Sequence, residues 1–506
     1  MSMKIDLPPG PLPAVVFGAG PVSLHDVVAL ATRRARPVLS GDPAFVARID
    51  AGAALLERIL REDGVVYGVT TGYGDSCGTA IPPSLVDELP QRLLTYHGCG
   101  LGIPFTPEQT RAILAVRLAS LCRGQSGVSM DLLRALVSLL DHDILPVIPS
   151  EGSVGASGDL TPLSYVAAVL RGEREVWRDG AQVPAMAALD DAGLRPIRLR
   201  PTEGLALMNG TAAMTGLACL AAARAESLCR LASRVTALAA VALDSNACHF
   251  DEVLFAAKPY PGMAQVAEWI RSDLAYVAAE EEAHNSARLQ DRHAIRCAPH
   301  VIGVLMDALP WMVQHIELEL NSANDNPLVD VEGGRILHGG HFYGGHMAFA
   351  MDGMKNAVAN LADLLDRQMA LLVDARYKHG LKALQNSVSA WTAEALKLTM
   401  PASVFHKGSM GTIAARDCLR VTELTEQVVA ALLITVRQAC AQRHPDGLPR
   451  RLGAGLRYAF ERIAELVPFV TGDRRLDHDL RRLLAVIRYD GAALLCRGAA
   501  EAAASS

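Results

Sequence analysis

Between Met347 and Leu372, apolar residues recur at steps of three or four: Met347, Met351, Met354, Val358, Leu361, Leu365, Met369 and Leu372. That spacing places all eight side chains on one stripe of an α-helix roughly seven turns long, and a stripe of that length must be covered by partner helices. Similar periodicity over about 212–243, 297–320, 385–400 and 419–441 predicts an elongated bundle through the middle of the chain. Hydrophobic residues make up 50% of the 506 and aromatics only 5%, a balance that suits closely packed helices better than a β-sandwich.

The preceding region is organised differently. Turn-forming residues are scattered from Pro8-Pro9-Gly10-Pro11 through Gly68, Gly72, Gly74, Gly98, Gly100 and Gly102, so loops concentrate there. Thr106 followed by Pro107 predicts a helix start; Gly124 to Gly127 breaks the run before a second helix that ends near Pro146. The expected division is an N-terminal region 1–205, a central helical bundle 206–441 and a C-terminal helical segment 442–506, with a frayed Ala-rich end.

A net charge of -6 provides no basic field for nucleic acid, and no block of like charge suggests a membrane-binding patch. A small-molecule partner is favoured. The N-terminus lacks the charged-then-apolar pattern of a secretory signal and no uninterrupted apolar run is long enough to span a bilayer, so a cytoplasmic location is expected. The ten cysteines are scattered, without C-x-x-C pairs or His-rich spacing, and predict reduced core thiols and no metal site.

The chemically informative stretch is Gly152-Ser153-Val154-Gly155-Ala156-Ser157-Gly158-Asp159-Leu160-Thr161-Pro162-Leu163. No Lys-Ser/Thr follows the glycines, which excludes a phosphate loop, and G-x-S-x-G is not met, which excludes a nucleophile elbow. Taken by residue type alone, it is a helix-entry loop capped by Ser157 or Asp159. The run from Gly155 to Leu163, however, resembles the signature of the ammonia-lyases that include histidase and the phenylalanine and tyrosine lyases. The resemblance implies an all-α, histidase-like fold in which an N-terminal region carries a methylidene-imidazolone electrophile (MIO) made from Ala156, Ser157 and Gly158. It also implies no external cofactor and a homotetramer whose sites draw residues from several subunits. The residue types fit that closure: Gly158 permits an unusual backbone, Ala156 is small, and Ser157 supplies the leaving hydroxyl.

Other segments follow in family order. Val66-Tyr67-Gly68-Val69-Thr70-Thr71-Gly72-Tyr73-Gly74 is similar to the loop carrying the catalytic tyrosine, here Tyr67; alone, such a Tyr reads as a packed strand residue. A phenol of pKa about 10 is a useful base only if its anion is stabilised, so a helix N-terminus is expected nearby. Gly204-Leu205-Ala206-Leu207-Met208-Asn209-Gly210-Thr211 resembles the segment whose Asn binds the prosthetic carbonyl, which assigns that role to Asn209; a helix N-cap is the bland alternative. Arg296, in Ile295-Arg296-Cys297-Ala298-Pro299-His300, matches the family Arg for the substrate carboxylate, a task suited to a bidentate guanidinium. Asn324, in the Asn-rich turn Glu319 to Pro327, and Phe342, after Gly339-Gly340-His341, are expected beside the substrate.

The chain also departs from its relatives. His293 stands where the family has Tyr, removing a second hydroxyl and pointing towards impairment, although an imidazole could take its place. The passage from Val373 through Tyr377-Lys378-His379-Gly380 to Leu384 is short, and His406-Lys407-Gly408 replaces an Asn-Gln/Glu-Asp element before Ser409-Met410. Tyr96-His97 occupies the ring-recognition position, where His97 suits a hydrogen-bonding ring, imidazole or phenol, over phenylalanine; a core His satisfied by backbone is the alternative. The expected function is ammonia elimination from an aromatic amino acid, histidine or tyrosine. The alternatives are a 2,3-aminomutase and an impaired paralogue serving as a structural or partner subunit.

Overall fold

The computed structural model describes residues 12–62, 64–275, 289–373, 381–404 and 408–494. The expectations placed at the extreme N-terminus, at Tyr377 to Gly380, at His406-Lys407 and at the Ala-rich end lie outside these residues.

Helices dominate the described chain, as expected, and the strands are short. Four small sheets are present among the described residues: a parallel pair of Ala14–Phe17 with Arg36–Leu39, antiparallel pairs of Leu101–Pro104 with Pro149–Glu151 and of Leu328–Asp330 with Arg335–Leu337, and a three-stranded antiparallel sheet.

The helix starts follow from local chemistry. Pro107–Leu121 begins where Thr106 Oγ1 accepts from Gln109 N at 3.3 Å while Gln109 Oε1 accepts from Thr106 N at 2.9 Å, a reciprocal cap with Pro107 in the first turn. Ser129 caps Met130–Asp141, which ends short of Pro146. The periodic stretches become Ala212–Leu243, Ala298–Leu320, Gly345–Leu372, Leu381–Lys397 and Gly411–Arg443. Every member of the stripe from Met347 to Leu372 is 0% exposed. At roughly 1.5–3 kcal/mol for each fully buried large apolar side chain, the stripe is a major source of helix stability.

The chain forms two compact units: 1–220, 313–352 and 401–416 make the first, and 221–312, 353–400 and 417–506 the second. The division is discontinuous, unlike the linear 1–205, 206–441 and 442–506, because long helices such as Ala212–Leu243 supply one stretch to each unit.

In the first unit, Leu89–Tyr96, Leu160–Leu170 and Glu203–Met208 pack against one another. Their contacts are cored by Leu93, Leu163, Val166 and Leu207, all at most 1% exposed. The second unit is helical throughout its named elements. Glu426, 2% exposed, accepts both Arg224 Nε and Nη2 at 2.7 Å and Arg488 Nε at 2.7 Å, tying three helices together. Gln368 donates to Thr236 Oγ1 at 2.9 Å and to Ala294 O at 3.0 Å, securing the turn that carries Arg296.

One sequence expectation is corrected. Two helical stretches, Glu203–Leu243 and His293–Leu320, are long and apolar enough to cross a membrane. The apolar window of the first is wholly buried inside the protein, the normal state of a core helix, whose all-round hydrophobicity serves packing.

Candidate active site

Six of the candidate residues of the first unit lie at the ends of its three mutually packed helices. Tyr96 ends Leu89–Tyr96 and His97 is its C-cap; Ala156, Ser157 and Gly158 lead into Leu160–Leu170; Asn209 is the C-cap of Glu203–Met208. Three helices that are fixed by packing thus bring together segments separated by more than a hundred residues.

At the centre is a tight turn. The backbone pairs Gly155 with Gly158 and Ala156 with Gly158, so the chain folds back within the triplet itself. Gly158 has φ +71°, and a Cβ there would come within 2.5 Å of Gly210 N and 2.7 Å of Gly210 C. Only glycine fits both the left-handed backbone and this contact. Ala156 is exposed, Ser157 half-buried and Gly158 buried.

Asp159 follows at the helix entry, but its side chain does not cap the helix, contrary to the bland expectation. Its backbone N donates to Gly210 O at 2.7 Å. Its wholly buried carboxylate accepts from Ser153 Oγ at 2.8 Å, from Met214 N at 2.9 Å and from Thr412 Oγ1. Burial raises its pKa, and the hydrogen bonds from Thr412, Met214 and Ser153 oppose the rise.

Asn209 does not occupy a helix N-terminus. It closes the preceding helix in an extended conformation, φ -84° and ψ 102°, and its Nδ2 donates to Ser157 O at 3.2 Å. It is 2% exposed, and its Oδ1 has no hydrogen-bond partner among the described residues. The residues therefore fit an MIO group: a compact Ala-Ser-Gly turn, with one amide donor aimed at the Ser carbonyl.

Tyr67 lies in a turn, half-buried, and does not form part of a strand. Gly74 N donates to its hydroxyl oxygen at 2.9 Å. Gly74 opens the single 3-10 turn Gly74–Ser76, so the expected stabilising dipole is one backbone N–H at the start of a short turn. The Tyr67 ring stands edge-on to Tyr73 at 6.4 Å and to His338 at 6.5 Å. Burial raises the Tyr73 phenol, with Tyr96 and Tyr67 adding to the effect; Tyr96 is pushed up to about 12 by burial and by Tyr67. Both stay protonated near neutral pH and act there as hydroxyls.

The His97 Nδ1 lies 2.9 Å from Leu93 O, which makes it the protonated nitrogen and leaves Nε2 as an acceptor. Burial lowers its pKa against the opposing backbone bond to Leu93, favouring the neutral ring. The backbone contact foreseen by the packing alternative is present, yet it involves only one nitrogen. The Tyr96 ring lies on His97 with centroids 4.4 Å apart.

Asn324, expected beside the substrate, has protein partners on both ends of its amide. It is 1% exposed; its Oδ1 accepts from Arg117 Nη1 at 3.0 Å and Ser120 Oγ at 3.1 Å, and its Nδ2 donates to Thr211 Oγ1 at 2.8 Å. Phe342 is half-buried in the turn before Gly345–Leu372. His293 and Arg296 belong to the second unit, where they open and close the single-turn helix His293–Arg296; His293 is exposed, and Arg296 Nε donates to Asp291 O at 3.2 Å.

Arg117 and Thr412 carried no role in the sequence, and Asp159 only that of a helix cap. A charge inside the apolar run Ala112 to Leu121 was the available signal for Arg117, and Asp159 stood within the motif without a sign of its partners Ser153, Met214 and Thr412.

Residues 22–465 match the family described as aromatic amino acid lyase. The histidine ammonia-lyase of Gloeobacter violaceus is 36% identical over 492 residues, 92% of this chain and 94% of its own. Among solved structures, the tyrosine aminomutase of Streptomyces globisporus has a TM-score of 0.86 at 30% identity, covering 96% of this chain and 98% of that one. The histidine ammonia-lyase of Trypanosoma cruzi has a TM-score of 0.85 at 27% identity, covering 96% of each chain. With the all-α histidase-like fold and these similarities together, the chain belongs to the aromatic amino acid lyases and is a carbon–nitrogen lyase of that family.

Proposed function

We propose that this enzyme eliminates ammonia from L-histidine to give urocanate, using an MIO group formed from Ala156, Ser157 and Gly158. The observation that carries the reading is the Asn209 Nδ2 donor at 3.2 Å from Ser157 O, over a turn that folds Ala156 back on Gly158. Formation of the group joins Gly158 N to Ala156 C. The Ala156 oxygen leaves as water with the amide hydrogens of Ser157 and Gly158, and the Ser157 hydroxyl leaves as a second water with the Ser157 α-hydrogen.

The mature group supplies an electrophilic methylene that activates the substrate amine for departure. Asn209 polarises the Ser157 carbonyl and stabilises charge developing there. Tyr67, as the phenolate that the Gly74 N–H stabilises from 2.9 Å, takes the β-proton and becomes the neutral phenol. His97 Nε2 accepts from the substrate ring N–H, while Tyr96 adds a neutral hydroxyl. By the family resemblance Arg296, whose Nε donates to Asp291 O, is the residue for the substrate carboxylate. His293 serves as a donor in place of the family hydroxyl, and Phe342 contributes to the ring pocket. Asn324 positions these parts from behind.

Histidine is favoured by the Gloeobacter violaceus relative and by the acceptor nitrogen of His97. Tyrosine is the second reading, because a phenol O–H can donate to the same nitrogen and the Streptomyces globisporus neighbour is a tyrosine aminomutase. We place the chain in the cytoplasm, where reduced thiols suit the lack of disulfides among its described cysteines, and assemble it as a homotetramer whose copies complete one another's sites.

The test pairs peptide mass mapping with product assays on L-histidine, L-tyrosine and L-phenylalanine. A Ser157 peptide lacking two waters, together with urocanate, supports the proposal. Coumarate selects tyrosine, and a β-amino acid selects the mutase. An unmodified peptide with no turnover overturns the MIO reading and favours the impaired paralogue.

A further inference from the structure

Pro107–Leu121 carries two arginines on an otherwise largely apolar helix. Arg111 pairs with Asp143 at 2.6 Å, whereas Arg117 is 0% exposed. Its hydrogen bonds go to neutral oxygens: Asn324 Oδ1 at 3.0 Å, Asn209 O at 3.1 Å and Ala206 O. Asp325 and Asp159 act on it through longer-range attraction, opposing the lowering of its pKa by burial. A buried guanidinium is costly unless its geometry is well satisfied, so the location of those oxygens is informative.

Ala206 and Asn209 end the helix Glu203–Met208, where terminal carbonyls lack intrahelical donors. Arg117 supplies donors and holds the extended backbone of Asn209. The next residue, Gly210, is pressed between two neighbours. A Cβ on Gly210 would collide with Arg117 Nη1 and lie 2.7 Å from Asn324 Oδ1, while a Cβ on Gly158 would collide with the Gly210 backbone. Gly158, Gly210 and the Arg117 guanidinium are therefore layered without an intervening side chain. Asn324 braces the last layer through Thr211 Oγ1 at 2.8 Å.

We propose that Arg117 is a positioning residue: it makes the Asn209–Gly210 backbone a rigid wall behind the Ala156–Gly158 turn and sets the Asn209 amide on Ser157 O. The inference rests on the reading of that turn as the MIO precursor. Loosening the wall lets Gly158 retreat from Ala156, slowing ring closure, and misaligns Asn209 in the matured enzyme. Lysine preserves the charge but lacks the planar fork that reaches three oxygens.

The experiment compares wild type with Arg117→Lys and Asn324→Ala as full-length proteins. Far-ultraviolet circular dichroism checks the fold, and the water deficit of the Ser157 peptide is quantified. The kcat per matured site and the KM are then measured separately. For Arg117→Lys, the dehydrated fraction is expected to fall several-fold and kcat per matured site to fall roughly tenfold to a hundredfold, with KM within about threefold. Asn324→Ala shifts both readouts in the same direction and carries the test by the same criteria if Arg117→Lys does not fold. A folded variant with full dehydration and wild-type kcat overturns the positioning role while leaving the MIO reading intact. A wild-type peptide without a water deficit overturns both.

Discussion

Replacing Asn209 by Ala separates chemistry from stability, because the two consequences can be worked out from the same side chain. Its Nδ2 makes one 3.2 Å bond to Ser157 O, and its Oδ1 is buried without a partner among the described residues. Removing one preorganised donor of this kind typically costs about 10²–10³ in kcat. A donor–acceptor distance at the long end of the N–H···O range of about 2.7–3.2 Å points to the lower end of that cost, near a hundredfold or about 2.7 kcal/mol. For stability, the lost bond of about 0.5–1.5 kcal/mol is offset by removal of an unsatisfied acceptor whose burial costs about 1–3 kcal/mol. Ser157 O is in turn left without its donor, at a cost of about 1–3 kcal/mol that cancels most of that gain, so the net change should be about 1 kcal/mol or less. The assay measures initial rates across substrate concentration, water loss at the Ser157 peptide and the urea midpoint. The expected result is full water loss, an unchanged midpoint, KM within about threefold and kcat down about a hundredfold. A kcat within fivefold of wild type would refute the carbonyl-binding role, and a collapse of the midpoint would show that the side chain serves chiefly to hold the fold.

Tyr67→Phe removes the proposed proton acceptor and should lower kcat by about 10²–10⁴ while leaving the Ser157 peptide dehydrated; a near-normal rate in stopped-time product assays would exclude Tyr67 as the base. Glu426→Ala removes the 2% exposed carboxylate shared by Arg224 and Arg488, which are themselves 20% and 33% exposed, and should destabilise by about 1.5–3 kcal/mol in chemical unfolding; an unchanged unfolding midpoint would contradict the clamp. The carboxyl of Asp273, raised to about 6 by burial despite Arg234 and Arg230, holds its proton more tightly folded than unfolded. Its stabilising contribution is present below its ordinary value of about 3.9 and is lost as pH rises towards 6. Asp273→Asn should therefore gain stability relative to wild type between pH 4 and 6, read from urea midpoints, and a constant difference across that range would disprove the linkage.

The legibility of the sequence differed with the range of the interaction. Thr106-Pro107 and the stripe from Met347 to Leu372 were readable because caps and helical periodicity act within one or two turns. The Ala156-Ser157-Gly158 triplet was readable because its chemistry requires those three residue types in succession. Its helix-entry position was foreseen, whereas the Asp159 side chain turned away to partners as distant in sequence as Thr412. Asn324 was legible as part of an Asn-rich turn, whereas its partners Arg117, Ser120 and Thr211 come from segments more than a hundred residues away and were not.

By itself, the sequence determined the helical class, the placement of the long helices and the family, since each rests on local periodicity or a contiguous motif. Only the tertiary structure decided which side of each motif residue faces its neighbours. It placed one His97 nitrogen on Leu93 O, drew the Gly74 N–H to Tyr67 and layered Arg117 behind Gly210. Hydrogen bonds and close packing depend on atoms from segments far apart in the chain, and a linear pattern does not encode the angles at which those segments meet.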